Sequence, residues 1–182
     1  STELVICNIK KVDAYCSKLQ FTSGPSFFIS EKYFKSIKSQ NIYIGSVFRN
    51  QELEELLYSG FCYNVEQIAL NYLNRAEQCH KGLALKLIKK GYQKDIVEDV
   101  LCILEAEGFL NDFRFASAWI RNRMIGHAEG RTKLLSELLN RGIKKDIALE
   151  AINDYFELVE ESTILNKAYQ KCLRLGYSEE KI

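Results

Sequence analysis

The side chains that most often act as nucleophiles or metal ligands are sparse in this chain. Its 182 residues include two histidines and six cysteines, and no cysteine pair has the CxxC spacing of a zinc site. Cys79 and His80 are neighbours, which suggests a thiol nucleophile with its base, but successive residues of a helix point about 100° apart. His127 lies elsewhere in the chain, without a ligand partner at a suitable spacing. We therefore predict no catalytic residue, no metal site and no cofactor.

Neither carboxylates nor glycine-rich motifs indicate an enzyme. The acid pairs Glu105/Glu107 and Glu160/Glu161 are two and one residues apart, so they do not share a helix face as a general acid and base would. No GxxxxGK[ST] or GxGxxG motif is present to hold a nucleotide phosphate. The sequence therefore favours a non-enzymatic protein.

Basic side chains are the chemistry that remains. The net charge of +1 conceals a segregation, because residues 75–145 contain 14 Lys/Arg and 9 Asp/Glu, whereas residues 146–165 contain six acids and no base. For any single lysine, solvation of a helix surface is the ordinary explanation, but recurrence in two repeated segments favours a binding face for phosphates or an acidic protein groove. The candidates are Lys81, Lys86, Lys89, Lys90, Arg114, Arg121, Arg131, Lys133, Arg141 and Lys144, with Lys145 beside the last.

These basic residues lie on segments that repeat. Leu87 to Ile96 reads Leu-Ile-Lys-Lys-Gly-Tyr-Gln-Lys-Asp-Ile and returns from Leu138 to Ile147 as Leu-Leu-Asn-Arg-Gly-Ile-Lys-Lys-Asp-Ile. The two glycines are 51 positions apart, and glycine after a periodic helix adopts the left-handed conformation that ends it. Each copy therefore predicts a helix, a tight turn and a second helix, which is typical of tandem helical repeats.

The fold predicted from residue 49 onward is all-helical. Asn50 is expected to cap a first helix, Gln51–Ser59, which Gly60 ends, and Asn64 to cap the next. Asp112 is the expected cap of a later helix. We predict a connecting helix at 49–63, three-helix repeats at 64–110 and 111–156, and a partial third repeat at 157–182, stacked into a curved array.

The first 48 residues have a different texture. Apolar, β-branched runs at Leu4–Ile9, Tyr15–Phe21 and Phe27–Ile29 predict short strands in a small β meander. Ser30 is expected to cap a short helix that continues to Ser39. No apolar run approaches the ~20 residues of a membrane span, and no signal peptide is visible, so we expect a soluble, cytoplasmic protein with reduced cysteines.

These segments together resemble the RecX family of bacterial modulators of the RecA recombinase. The similarity runs from about Gly45 to the end of the chain, and Asn111-Asp112-Phe113-Arg114-Phe115-Ala116 is its most specific part. The other segments that carry it are Glu54–Leu57, Ala69–Arg75, Leu83–Tyr92, Leu104–Leu110 and Leu134–Ile143. The resemblance implies three-helix repeats behind a variable N-terminal region.

The resemblance also implies a function. A RecX-like protein is expected to bind RecA and the RecA–ssDNA filament as a monomer, to lower its ATPase and strand-exchange activities, and so to modulate DNA repair, recombination and the SOS response. Two features depart from the family pattern: residues 126–130 replace a short Lys-Gly element, and the third repeat is incomplete. The alternative is a stand-alone nucleic-acid-binding helical module. Weak direct DNA binding is compatible with either function.

Overall fold

The computed structural model describes residues 3–159 and 161–176, which form a small sheet followed by helices. The chain divides into two compact units, Ser1–Asn71 with Lys86–Ala106, and Tyr72–Leu85 with Glu107–Ile182. The strands are β1 (Glu3–Lys11), β2 (Cys16–Phe21), β3 (Phe27–Ser30) and β4 (Val47–Arg49). The α-helices are α1 (Asn50–Leu73), α2 (His80–Lys89), α3 (Lys94–Ala106), α4 (Asp112–Gly126), α5 (Arg131–Asn140), α6 (Lys145–Leu158) and α7 (Glu161–Arg174).

The strands of the first unit form one antiparallel sheet in the order β3-β2-β1-β4. In its central register Leu19 lies opposite Ile9 on β1 and Phe27 on β3. This row faces the core, where Leu53 and Leu56 of α1 cover it. The predicted meander of three strands is confirmed, and β4 is an additional strand that pairs with the start of β1.

The helix predicted from Ser30 to Ser39 is wrong. The structure has only two short 3-10 turns there, Glu31–Tyr33 and Ser39–Asn41. Between them, the Glu55 carboxylate accepts hydrogen bonds from the backbone N–H groups of residues 35, 36 and 37, at 2.5, 2.7 and 3.0 Å. Since a side chain from α1 satisfies these donors, this segment does not need helical hydrogen bonds.

The break predicted at Gly60 is also wrong, because α1 is continuous from Asn50 to Leu73 and Asn64 lies inside it. Gly60 is buried where α1 crosses β3. A Cβ atom there would lie 3.0 Å from Phe27 Cδ2 and 3.2 Å from the Phe28 carbonyl oxygen. Glycine serves close packing at this position, and the predicted boundary between 49–63 and 64–110 falls within one helix.

The repeated glycine turns are confirmed. Gly91 and Gly142 have φ angles of 95° and 88°. In each copy the residue after the glycine donates back to the residue five positions earlier, from Tyr92 N to Leu87 O at 3.4 Å and from Ile143 N to Leu138 O at 3.1 Å. This is the hydrogen-bond pattern of a Schellman cap. The further helix turn predicted from Ser178 lies outside the described residues.

The second unit has its own apolar core, built from α4, α5 and α6 with Cys79 and Ile143. Its buried side chains include Ala116, Ile120, Met124, Leu134, Leu138, Ala148, Ala151 and Ile152. The cap predicted at Asp112 is corrected by one residue, because Asn111 Oδ1 accepts from Arg114 N at 2.9 Å. Asp112 instead accepts from His80 N at 2.8 Å, so its carboxylate satisfies the start of α2.

No helix in the described ranges 3–159 and 161–176 is both long enough and apolar enough to span a lipid bilayer.

Candidate interaction surface

The structure divides the predicted basic residues into those that partners within the fold hold in place and those that remain candidates for binding. The exposed side chains that form no ion pair with any other described residue are Lys81, Lys89, Lys90, Arg121 and Lys144. Lys86 is exposed on α2 as well. These six remain the candidates for contact with a partner.

The turns after α2 and α5 present basic residues at equivalent positions. Lys90 directly precedes Gly91, and Arg141 directly precedes Gly142. Lys94 and Lys145, each three residues after its glycine, begin the following helices. Because the two turns have the same backbone hydrogen bonds, these basic residues occupy equivalent backbone positions in the two repeats.

Lys81 is positioned by contact with the second of these turns. A Cβ atom at Gly142 would lie 2.8 Å from Lys81 Cβ and 2.3 Å from its Cδ. The aliphatic stem of Lys81 therefore packs directly on the glycine backbone, while the side chain stays exposed. Gly142 is needed both for its positive φ and for this close approach.

Arg114 is a structural clamp. Its Nε donates to Glu77 Oε1 at 2.8 Å, and its Nη1 and Nη2 donate to the carbonyl oxygens of Gly108 and Phe109, each at 2.8 Å. These bonds satisfy the backbone of the turn before α4. The planar guanidinium suits this role, because a lysine has no such rigid fork of donors.

Arg131 and Arg141 each combine a hydrogen bond with an aromatic contact. The guanidinium of Arg141 lies 4.6 Å from the Trp119 ring centroid and donates to the Glu137 carboxylate at 2.7 Å. Arg131 lies 4.4 Å from the Phe156 centroid and donates to Asn153 Oδ1 at 2.6 Å. Cation–π contacts of this kind stabilise the fold, so these residues are not freely available to a partner.

Sequence reasoning missed a buried ion cluster between α4 and α5. Glu129 is 4% exposed, accepts two hydrogen bonds from Arg123, at 2.8 and 3.1 Å, and forms an ion pair with Lys133 at 2.8 Å. The Arg123 hydrogen bonds, with those of Lys133, lower the pKa of Glu129 to about 2. The i,i+4 spacing of Glu129 and Lys133 was the available sequence signal. Lys133 therefore contributes to the fold through its ion pair with Glu129.

Arg121 lies in an open cleft of about 330 Å³ in the second unit. Its other polar walls are Glu77, Arg114, Ser117 and Asp154, and its apolar walls are Phe113, Ala118, Ala151, Tyr155 and Leu158. Leu158 is 86% exposed. The cleft therefore combines an apolar wall with charged groups of both signs, and its Arg121 guanidinium forms no ion pair with a described carboxylate.

The residues considered for catalysis have positions at helix ends or in the core. Cys79 is buried, and its Sγ donates to the Arg141 carbonyl oxygen at 3.6 Å. His80 begins α2, and His127 follows the end of α4. Within residues 3–159 and 161–176, no group of three or more His, Cys, Asp or Glu side chains is arranged to hold a metal ion.

Both helical repeats match family models. Residues 67–102 match the model described as RecX, first three-helix domain, and residues 111–152 match RecX, second three-helix domain. The first match covers the end of α1 with α2 and most of α3, and the second covers α4, α5 and part of α6. The repeats seen in the structure and the family domains therefore coincide in order and number.

Curated relatives extend the similarity. A protein named "Regulatory protein RecX" from Treponema pallidum (strain Nichols) is 37% identical over 116 residues, which is 64% of this chain and 71% of that protein. A protein of the same name from Clostridium perfringens (strain SM101 / Type A) is 25% identical over 135 residues, 74% of this chain and 63% of that protein.

A solved structure shares the fold along nearly the whole chain. The "Crystal structure of regulatory protein RecX" superposes with a TM-score of 0.67 at 14% identity, covering 97% of this chain and 96% of that one. The predicted fold, mainly α with tandem three-helix repeats behind a small β-containing N-terminal region, is confirmed. With two family domains and a relative above one-third identity, this chain belongs to the RecX family.

Proposed function

We propose that this protein binds RecA and the RecA–ssDNA filament and inhibits the ATPase and recombinase activities of RecA, acting as a non-enzymatic, cytoplasmic monomer. Membership of a family whose curated members are named regulatory protein RecX is the observation that carries the proposal. Inhibition of RecA would modulate DNA repair, recombination and the SOS response. The domain bounds 1–48, 49–63, 64–110, 111–156 and 157–182 stay a prediction.

The contact residues proposed for this function are the exposed cations of the helical repeats. A RecA–ssDNA filament presents DNA phosphates and acidic protein surface, and both attract exposed lysine and arginine side chains. The six proposed contacts are Lys81, Lys86, Lys89, Lys90, Arg121 and Lys144. The other four predicted residues, Arg114, Arg131, Lys133 and Arg141, are proposed to support the surface through the fold.

The test is the DNA-dependent ATPase rate of RecA, titrated with this protein at two salt concentrations. Wild-type protein should inhibit in a dose-dependent way, and higher salt should weaken the inhibition because charged contacts are screened. Lys89→Glu should weaken inhibition at least severalfold. Lys38→Glu is the matched control, since Lys38 is an exposed lysine of the same unit outside the repeats.

The possible outcomes distinguish an error in the proposed contact residues from an error in the proposed function. Equal inhibition by Lys89→Glu and Lys38→Glu would contradict the contact residues while leaving the function intact. No inhibition by folded wild-type protein at any ratio would contradict the function itself. Circular dichroism of each variant shows whether its fold is retained.

A stand-alone nucleic-acid-binding module is the second candidate. It is favoured by the two glycine turns, because each presents cations between two helices. Single-stranded DNA binding without RecA that is as tight as binding to the filament would support this alternative. Weak or undetectable binding without RecA would favour the filament.

A further inference from the structure

We propose that the outer face of the N-terminal sheet is a binding platform for single-stranded nucleic acid. The platform is a row of four side chains, Lys10 on β1, Lys18 on β2, Phe28 on β3 and Tyr63 on α1. This surface lies outside both family domains, and its partner is recognised by phosphate charge and base stacking. It is distinct from the lysines of the proposed function, and its test contains no RecA.

The strand register puts three of these side chains side by side. Lys10 pairs directly with Lys18, and Lys18 pairs directly with Phe28. Directly paired residues in an antiparallel sheet point to the same face. The neighbouring row Ile9, Leu19 and Phe27 faces the core, so this row faces away from it.

The aromatic half of the row consists of Phe28 from β3 and Tyr63 from α1. The Phe28 and Tyr63 rings are stacked, with centroids 5.2 Å apart and planes 15° apart. Lys18 Nζ lies 5.4 Å from the Phe28 centroid. Tyr63 covers one face of the half-exposed Phe28 ring and Lys18 lies over the other, so a base would stack on Phe28 in place of the Lys18 ammonium, which would then contact the phosphate.

Lys10 and Lys18, the two lysines of the row, form an unfavourable cross-strand pair. Like charges directly opposite each other destabilise a sheet, yet Lys10 and Lys18 form no ion pair with any described residue. The nearby acids are already used. Asp13 accepts from the N–H groups of residues 15 and 16, each at 2.8 Å, and buried Glu66 is paired with Lys32 at 3.1 Å. A polyanion would remove this repulsion.

Two amides extend the platform. Asn8 and Gln20 form the adjacent cross-strand pair, two residues along from Lys10 and Lys18, and both are exposed. On the same face they offer hydrogen-bond donors and acceptors to the edges of unpaired bases. Bases within a duplex are already stacked and paired, so a flat sheet surface of this kind discriminates in favour of a single strand.

The experiment is fluorescence anisotropy of the full chain with a labelled oligothymidylate of about 15 nucleotides. Affinity is measured between roughly 50 and 200 mM salt, because the slope of log affinity against log salt counts phosphate contacts. The test variant is Lys10→Gln/Lys18→Gln. The control is Lys11→Gln/Lys38→Gln, which removes two exposed lysines of the same unit, and Lys11 lies on the opposite side of β1 from Lys10.

Wild-type protein and the control are expected to bind with the same salt slope. The test variant should lose affinity at least fivefold and reduce that slope by about 1.4, since each phosphate contact to a single strand contributes about 0.7. Its melting temperature should stay equal or rise, because the like-charge pair is gone. Phe28→Leu should weaken binding about fivefold or more with an unchanged slope, because stacking carries no charge.

Three results would overturn the proposal. The first is equal affinity and slope for the test variant and the control. The second is a duplex of the same length that binds as tightly as the single strand. The third is an unchanged affinity for Phe28→Leu together with displacement of the oligonucleotide by polyglutamate at equal charge, which would indicate a general surface for acidic partners.

Discussion

At the residue scale, the decisive feature is that buried or semi-buried carboxylates organise the backbone and its cations. Glu129 holds Arg123 and Lys133 together, and Glu55 holds three consecutive backbone N–H groups. The pKa of Glu55 is lowered to about 2 because hydrogen bonds from Ser36 and from three backbone N–H groups outweigh its desolvation. The pKa of Glu129 is lowered to about 2 by the hydrogen bonds and positive charges of Arg123 and Lys133. These side chains therefore contribute to folding.

Substitution of Glu129 tests this point. Glu129→Gln should destabilise the protein by roughly 2 kcal/mol, since a buried carboxylate that accepts charge-assisted hydrogen bonds is replaced by a neutral amide, while Arg123 and Lys133 remain partly exposed to solvent. Glu137→Gln is the matched control: Glu137 also forms an i,i+4 ion pair, but on the surface, so its loss should cost at most about 1 kcal/mol. Urea denaturation measures both. Equal losses of unfolding free energy in the two variants would show that the Glu129 cluster stabilises the protein no more than a surface ion pair does.

At the element scale, glycines at helix ends and helix crossings decide the path of the chain. Gly91 and Gly142 end α2 and α5 with positive φ, and of these two only Gly142 lies against another side chain, Lys81. Gly91→Ala should therefore cost about 1 kcal/mol from backbone strain alone. Gly142→Ala should cost more, because its Cβ would also collide with Lys81 Cβ. In urea denaturation, a smaller loss for Gly142→Ala would contradict the contact.

Gly60 provides a second test at this scale. In an exposed helix Gly→Ala stabilises by about 1 kcal/mol, but in α1 the added methyl would press on Phe27 and on the Phe28 carbonyl group. Gly60→Ala should therefore lower the melting temperature. Gly126→Ala, at the end of α4 where nothing lies within 4 Å of the added atom, should leave it unchanged or raise it.

At the scale of the whole molecule, each unit carries one carboxylate of strongly lowered pKa, Glu55 in the first and Glu129 in the second. A lowered pKa in the folded state stabilises the protein fully above the unfolded value of 4.5, and this contribution is lost as the pH falls toward 2. The free energy of unfolding should therefore decrease across that window.

The double variant Glu55→Gln/Glu129→Gln should flatten this dependence. Its free energy of unfolding, measured by urea denaturation at a series of pH values, should be lower at neutral pH and should change less between pH 4.5 and 2. An unaltered slope would mean that other carboxylates control acid unfolding.

The sequence by itself determined the helical repeats, their glycine turns and the strands β1 to β3. These features depend on local physics: apolar periodicity selects helix or strand, and a positive φ selects glycine. The match between Leu87–Ile96 and Leu138–Ile147 was therefore enough to recognise two equivalent turns. The basic residues could be named from the sequence for the same reason, since their surface positions follow from helical spacing.

Only the tertiary structure decided which of the basic residues are available to a partner, and where predictions from local sequence fail. Gly60 and the segment after Ser30 were predicted wrongly because each depends on a contact with a distant element, β3 for the first and Glu55 for the second. In the sequence, Arg114 and Arg141 are basic residues of the helical repeats, as Lys89 is. In the structure, however, Arg114 donates to the Gly108 carbonyl oxygen and Arg141 lies against the Trp119 ring, so both contribute to the fold. Long-range contacts leave no fixed spacing in a sequence, so only the folded chain separates a structural cation from one that can bind a partner.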